Sequence, residues 1–151
     1  MNKKTIFILL LCFFFICGCS NKMQSISVED FHKVVQAYDY NYIDASRQFE
    51  EVENIVSVSM ASTNVWHIEF YVLNSQDSAI ELYDVNQHSF LQAKTSTSYE
   101  TEDHGKNFHQ YSLTTSHYFM YLCQIDDTLL YARVPVEYRN KVSKLIHNLG
   151  Y

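Results

Sequence analysis

Histidine and glutamate side chains are the groups in this sequence that come nearest to the spacing of a catalytic site. His67 and Glu69 form a His-x-Glu pair, the spacing with which zinc deaminases set a metal ligand beside a proton-transferring carboxylate. That chemistry also needs a Pro-Cys-x-x-Cys segment to complete the zinc site, and no cysteine follows the one proline, Pro135. The pair therefore indicates a polar strand face, with an enzymatic role as the alternative.

Three further histidines, His104, His109 and His117, lie close together in the chain. Zinc takes three or four ligands that converge on it tetrahedrally. These histidines belong to a loop and two expected strands, and no two of them have the spacing of neighbouring turns on one helix. We therefore predict no metal site and no bound cofactor, and keep the three histidines as the candidates for a metal-binding alternative.

Cys123 and the glycine content bear on nucleophilic catalysis and phosphate binding. Cys123 alternates with Phe119, Tyr121 and Ile125, which is typical of a small residue on the core side of a strand. The chain has three glycines and contains neither a Gly-x-Ser-x-Gly turn nor a glycine-rich phosphate loop. We therefore predict no catalytic residue.

Tyrosine is the residue in surplus. Five tyrosines lie on expected strands and cannot all face a core; they are Tyr71, Tyr99, Tyr111, Tyr118 and Tyr121. Exposed tyrosines on a sheet are typical of recognition surfaces. Simple packing in a chain poor in leucine and alanine is the favoured interpretation, and the five residues are the candidates for an interaction surface as the alternative.

The amino terminus has the pattern of an export signal. Lys3 and Lys4 precede an apolar run at residues 6–17. A run of this length fits the core of a signal peptide, whereas a membrane-spanning helix needs about 20 apolar residues. We therefore expect this segment to be removed rather than to form part of the fold.

A lipobox follows the apolar run. Ile16-Cys17-Gly18-Cys19 has an aliphatic residue, two small residues and then the cysteine whose thiol would form the thioether to diacylglycerol. Two acyl chains are enough for stable anchoring. The pattern predicts a lipoprotein signal peptide at 1–18, a lipidated Cys19 with a short tether at 19–26, and a single domain at 27–151, held by acyl lipid on the extracytoplasmic face of the cell membrane.

The charge of the chain bears on which partners it can bind, and its cysteine content bears on whether it can form a disulfide. Without Lys3 and Lys4, nine Lys and Arg stand against 17 Asp and Glu, a formal charge of −8. Such an acidic domain is not expected to bind nucleic acid. Cys123 is the one cysteine left free after processing and lipidation, so we expect no intramolecular disulfide.

Periodicity predicts an alternation of helices and short strands. A helix is expected from a Ser27 cap to about residue 39, because apolar residues recur there at helical spacing. Residues 54–60 and 65–72 alternate as a hairpin. The remaining expected elements are a helix at 74–93, an edge strand around Tyr99, strands at 108–114, 117–125 and 129–134, and a last helix that opens at Pro135 and ends at Gly150.

This order predicts an α+β fold. Consecutive strands with short turns imply a mainly antiparallel sheet of about five or six strands. Three amphipathic helices are expected to pack on one face of it, in a two-layer architecture. The other sheet face would then be free for a partner.

Several short segments resemble a known group of proteins. They are Ser27-Val28-Glu29-Asp30-Phe31, the helix at 78–83, the hairpin at 126–131 and the closing Leu149-Gly150-Tyr151. Together with the lipobox, they make the chain similar to the small uncharacterised lipoproteins of Clostridia and related Firmicutes. The resemblance implies an envelope lipoprotein with a small α+β domain, and it implies no activity and no site residue.

Three functional hypotheses follow. The first is a non-enzymatic, membrane-anchored module that binds a protein or envelope component through its sheet face. The second is an envelope enzyme or metal-binding protein that uses His67 and Glu69 or the three histidines. The third is an inhibitor or immunity-type lipoprotein.

Overall fold

The computed structural model describes residues 21–151, so the expected signal peptide and Cys19 lie outside the described residues. The described part forms seven strands, three α-helices and two 3₁₀ segments. The strands are β1 (Asn41–Asp44), β2 (Ile55–Ser62), β3 (His67–Leu73), β4 (Tyr99–His104), β5 (Phe108–Thr114), β6 (Tyr118–Ile125) and β7 (Thr128–Pro135). The α-helices are α1 (Val28–Ala37), α2 (Gln76–Gln92) and α3 (Arg139–Asn148), and the 3₁₀ segments are Ser46–Phe49 and Val136–Tyr138.

All seven strands belong to one antiparallel sheet in the order β1-β2-β3-β7-β6-β5-β4. The expected α+β class, with an antiparallel sheet and three helices, is confirmed. The strand number is seven rather than five or six, because β1 and β4 both pair fully as edge strands. We call the sheet end with the β4–β5 and β6–β7 turns the lower end, and the end with the β2–β3 and β5–β6 turns the upper end.

The helix starts follow local capping chemistry. The Ser27 hydroxyl accepts a hydrogen bond from the Asp30 amide at 3.1 Å, and Ser75 does the same for Ser78 at 3.1 Å. Pro135 closes β7 instead of opening the last helix, because the Val136–Tyr138 segment intervenes. Gly150, with φ +81°, follows the end of α3, where a left-handed residue is favoured.

The helices cover both faces of the sheet, so the expected packing on one face is wrong. Phe119, Tyr121 and Cys123 of β6 face the core formed with α1 and α3. Met120 and Leu122 of the same strand face a second core formed with α2. A strand that is apolar at almost every position is typical of a sheet buried on both sides, and that continuous run is the physical reason for the three-layer arrangement.

The segment before α1 is docked on the domain. The Asn107 side chain accepts a hydrogen bond from the Met23 amide at 3.1 Å and donates one to the Met23 carbonyl at 2.9 Å. Gly105 permits this approach, since a Cβ there would lie 2.4 Å from the carbonyl oxygen of Asn21. The chain therefore joins the domain at the lower end of the sheet.

No helix among residues 21–151 combines the length and hydropathy needed to cross a bilayer.

Candidate binding groove

His67, Glu69 and Tyr71 form a row of polar side chains along β3. His67 Nε2 lies 3.1 Å from one carboxylate oxygen of Glu69, and the Tyr71 hydroxyl donates a hydrogen bond to the other. Burial, and then the hydrogen bond to Glu69, raise the pKa of Tyr71 well above its usual value. Both oxygens of Glu69 are thus engaged within the row, which fits the polar strand face expected from the sequence.

The three other candidate histidines do not converge. His104 and His109 face each other across the β4–β5 pair at the lower end, and the ring of His109 lies 5.6 Å from that of Tyr83. His117 lies in the β5–β6 turn at the upper end, about 20 Å away along β5 by strand geometry. Within residues 21–151, no group of three or more His, Cys, Asp or Glu side chains is arranged to hold a metal ion.

The five candidate tyrosines do not form one surface. Tyr71, Tyr111 and Tyr121 are only 9, 2 and 5% exposed, because helices cover both sheet faces. Tyr99 on the β4 edge and Tyr118 at the start of β6 are 61 and 40% exposed. The expectation of an open sheet face lined with these tyrosines is therefore wrong for the three buried residues.

Cys123 occupies the core position expected for it. Its side chain is fully buried between the sheet and the α1–α3 layer. Burial raises the pKa of the Cys123 thiol to about 12. The thiol is therefore protonated at neutral pH and shielded from reagents, which is unlike a catalytic cysteine.

A groove of about 510 Å³ opens at the upper end of the sheet. It lies between the end of α1, the β2–β3 turn and the start of α3. Its wall and rim are formed chiefly by four aromatic residues and two lysines, which are Tyr38, Tyr40, Trp66, Tyr138, Lys141 and Lys144. We call it the aromatic groove.

The aromatic wall is held by contacts between rings. Tyr38 and Tyr40 are stacked, with ring centroids 5.9 Å apart and an interplanar angle of 21°. Tyr40 meets Trp66 edge-on at 5.1 Å. The side-chain amide of Asn148 on α3 donates a hydrogen bond to the Tyr38 hydroxyl, which ties the wall to the last helix. The wall is thus fixed by the fold.

The β2–β3 turn positions the base of the groove. The Thr63 hydroxyl accepts hydrogen bonds from the amides of Val65 and Trp66, each at 3.2 Å. The Thr63 amide also donates to the Trp66 carbonyl at 2.8 Å. Trp66 is 5% exposed, whereas Val65 at the rim is 57% exposed. This turn therefore fixes the indole as the floor and leaves an apolar side chain at the entrance.

The cationic side of the groove comes from α3 and the 3₁₀ segment before it. Tyr138, Lys141 and Lys144 recur every three residues and so lie on one side of the helix. Within the described residues, the ion pairs involve other cations, and neither groove lysine has a carboxylate within 4.0 Å. Asp39 and Glu137 are the acids next to the groove in sequence, and neither lines it. The groove therefore presents net positive charge.

The composition of the lining limits what the groove can do chemically. Aromatic rings and Val65 can bury an apolar part of a ligand, and the lysines can attract negative charge. Among residues 21–151, the lining contains no carboxylate, histidine or thiol. The aromatic and cationic lining is suited to holding a ligand with an apolar part and a negative charge.

Comparisons with protein-family models, with curated proteins and with solved structures find no match. The resemblance to clostridial lipoproteins thus stays a prediction.

The groove could not be recognised in the sequence because its residues are spread over three segments. Helical spacing places Tyr38 and Tyr138 on the inner faces of their helices, and Lys141 and Lys144 mostly on an outer face. The signal that could have found it is the composition of α3: residues 139–148 hold three of the nine Lys and Arg after residue 18 and no acid. A basic helix in an acidic chain indicates a local site for negative charge.

Proposed function

We propose that this protein is an exported lipoprotein, anchored through Cys19, whose domain binds a ligand in the aromatic groove without catalysing a reaction. The observation that carries the binding role is the groove itself. Four aromatic side chains and two lysines without carboxylate partners in the described part frame an open concavity that no carboxylate, histidine or thiol lines. Aromatic side chains around a concave opening are characteristic of binding sites.

Anchoring is supported by the sequence pattern. The basic start, the apolar run at 6–17 and the Ile16-Cys17-Gly18-Cys19 lipobox occur in the order that export and lipidation require. A diacylglyceryl group on Cys19 would hold the domain on the extracytoplasmic side without help from the folded surface.

The position of the docked amino-terminal segment supports the same role. Asn107 holds Met23 at the lower end of the sheet, whereas the aromatic groove opens at the upper end. β7 spans the distance between the ends with eight residues, which corresponds to about 25 Å. A domain anchored two residues before Asn21 would therefore turn the groove away from the bilayer, where a ligand or partner from outside the membrane can reach it.

The other hypotheses gain no specific support from residues 21–151. An enzyme or metal protein would rest on His67 and Glu69, which contact each other, or on histidines at opposite ends of the sheet. No observation on these residues specifically favours an inhibitor or immunity role. The binding module is therefore the proposal.

Anchoring is tested by labelling cells that express the protein with radioactive palmitate. We expect the wild type and Cys17→Ser to take up label and sediment with membranes, and Cys19→Ser to do neither. Equal labelling of Cys19→Ser and wild type would contradict the anchoring proposal.

Binding is tested through Trp66, the one tryptophan of the chain. The purified lipoprotein in phosphatidylcholine vesicles is titrated with the neutral fluorophore dansyl-glycinamide, and energy transfer from Trp66 is recorded. We expect saturable transfer that Tyr138→Ala weakens severalfold and Tyr99→Ala, a tyrosine exposed elsewhere, leaves unchanged. Absence of saturable transfer, or an equal loss in both variants, would contradict binding in the groove.

A further inference from the structure

We infer that the aromatic groove takes a small organic anion, a molecule with a ring or other apolar body and one carboxylate or phosphate group. This inference rests on the proposed function and adds the chemical class of the ligand. It depends on three properties of the groove: its size, its aromatic wall and the charge of α3.

The size of the groove favours a small molecule. A volume of about 510 Å³ falls within the roughly 300–1,000 Å³ of sites that hold small ligands and cofactors. A stable protein partner would need about 800 Å² of surface, or about 20–30 residues, on each side, which is much more than a concavity lined by nine residues offers. The groove is therefore matched to a ligand that enters it, rather than to a folded domain laid across it.

The aromatic wall defines the apolar part of the ligand. Tyr38, Tyr40 and Trp66 already form a chain of stacked and edge-on contacts. A ring or flat apolar group that enters beside them extends this chain with the same offset or edge-on geometry. Because the contacts already fix the wall, little side-chain freedom is lost on binding.

The lysines define the polar part. Lys141 and Lys144 are three residues apart on α3, which puts their Cβ atoms about 5–6 Å from each other. Both ammonium groups can reach one carboxylate or phosphate, since the lysine stem is long and flexible.

The preference of the groove for an anion contrasts with the negative charge of the domain as a whole. Nine cations stand against 17 acids after residue 18, so the protein as a whole repels anions. Residues 139–148 reverse this balance with Arg139, Lys141 and Lys144 and no acid. If replacing the lysines of this helix abolishes a preference for an anion over its neutral analogue, while replacing lysines elsewhere does not, the preference belongs to the groove.

The test compares two probes that differ only in charge. Dansyl-glycine carries a carboxylate, and dansyl-glycinamide carries an amide in its place. Each is titrated into the lipoprotein in phosphatidylcholine vesicles, with Trp66 as the energy donor. We expect the wild type to bind the carboxylate about tenfold more tightly than the amide, the size of effect that two exposed charge contacts produce.

The variants locate the preference. In Lys141→Gln/Lys144→Gln the affinity for dansyl-glycine should fall about tenfold to that of the amide, whose own affinity should not change. The matched control is Lys33→Gln/Lys106→Gln, which removes the same charge from exposed lysines outside the groove and should retain the wild-type ratio. Raising the salt concentration from about 0.05 to about 0.5 M should reduce the ratio in the wild type.

The outcomes separate this inference from the proposed function. Equal binding of both probes by the wild type would overturn the anion preference while leaving the groove a binding site. A control that loses the ratio as fully as the groove variant would overturn it too, because general electrostatics would then be the cause. Absence of saturable transfer with either probe would overturn both the inference and the proposed function.

Discussion

Tyr40 meets Trp66 edge-on, with ring centroids 5.1 Å apart and an interplanar angle of 77°. This contact joins the chain that leaves α1 to the β2–β3 turn, two parts of the protein separated by two strands and a 3₁₀ segment. It also sets the floor of the aromatic groove against its wall. The site therefore depends on tertiary packing, and changes to the contact should affect stability and binding together.

Replacing Tyr40 tests that dependence. Tyr40→Ala should lower the free energy of unfolding by about 1–2 kcal/mol, since a half-buried ring and its two aromatic contacts are lost. Water should also reach the indole of Trp66, so its fluorescence emission should shift to longer wavelength. Urea unfolding followed by circular dichroism, with the emission spectrum of the folded state, measures both effects.

Tyr99→Ala is the control for this change. Tyr99 is 61% exposed on the β4 edge and lines no part of the groove. It should leave both the unfolding free energy and the Trp66 spectrum close to those of the wild type. An unshifted Trp66 spectrum in Tyr40→Ala would show that the contact does not shield the indole.

Asn107 should control how firmly the amino-terminal segment is held. Its side chain bonds the Met23 amide and carbonyl and also donates to Asp126 at 3.0 Å. Asn107→Ala should lower the free energy of unfolding by about 1–3 kcal/mol and make residues 21–26 cleavable under native conditions. Limited proteolysis with mass spectrometry locates the cuts.

The matched control is Asn140→Ala, which replaces an exposed asparagine on α3. The protease should cut this variant at the same rate as the wild type. If Asn107→Ala were also cut no faster than the wild type, the docking of this segment would not depend on Asn107.

Cys123 should make the free energy of unfolding depend on pH in the alkaline range. Burial raises the pKa of its thiol to about 12, against about 8.5 in an unfolded chain. Between these values the unfolded state loses a proton that the folded state keeps, so the free energy of unfolding should fall as pH rises. Urea unfolding at about pH 8 and about pH 10 should show a steeper fall in the wild type than in Cys123→Ala.

The same burial predicts slow chemical modification. A disulfide-exchange reagent should modify Cys123 in the native protein only at the rate of unfolding, and at once in urea. The matched blank is Cys123→Ser, which shows the contribution of any other thiol. Rapid native modification above that blank would mean that the thiol is accessible, contrary to its position in the core.

The elements of the fold that could be predicted are those with strong local signals. The β2–β3 hairpin follows from alternation in residues 54–60 and 65–72, and α1 from its Ser27 cap. The division of helices between the two sheet faces could not be predicted from the alternation of Phe119, Tyr121 and Cys123, because that alternation alone indicates one buried face. Met120 and Leu122 between them carried the contrary signal, since they need a second core.

The aromatic groove could not be predicted for a different reason. Tyr38, Trp66 and Tyr138 lie on three segments far apart in sequence and meet only when α1, the β2–β3 turn and α3 pack at the upper end. Periodicity assigns a residue to a face of its own helix or strand, but it does not indicate which helices and strands pack against each other. The charge of residues 139–148 was visible in sequence, and the concavity beside it was not.

The most direct test of the binding site is to find where an aromatic anion attaches. The lipoprotein in vesicles is irradiated with para-benzoylbenzoate, a ring-bearing carboxylate that cross-links to nearby carbon atoms, and the modified peptides are mapped by mass spectrometry. We predict cross-links at residues 38–40, 63–66 and 138–144, reduced in Lys141→Gln/Lys144→Gln. Cross-links concentrated on α2 or the β4 edge instead would contradict the account.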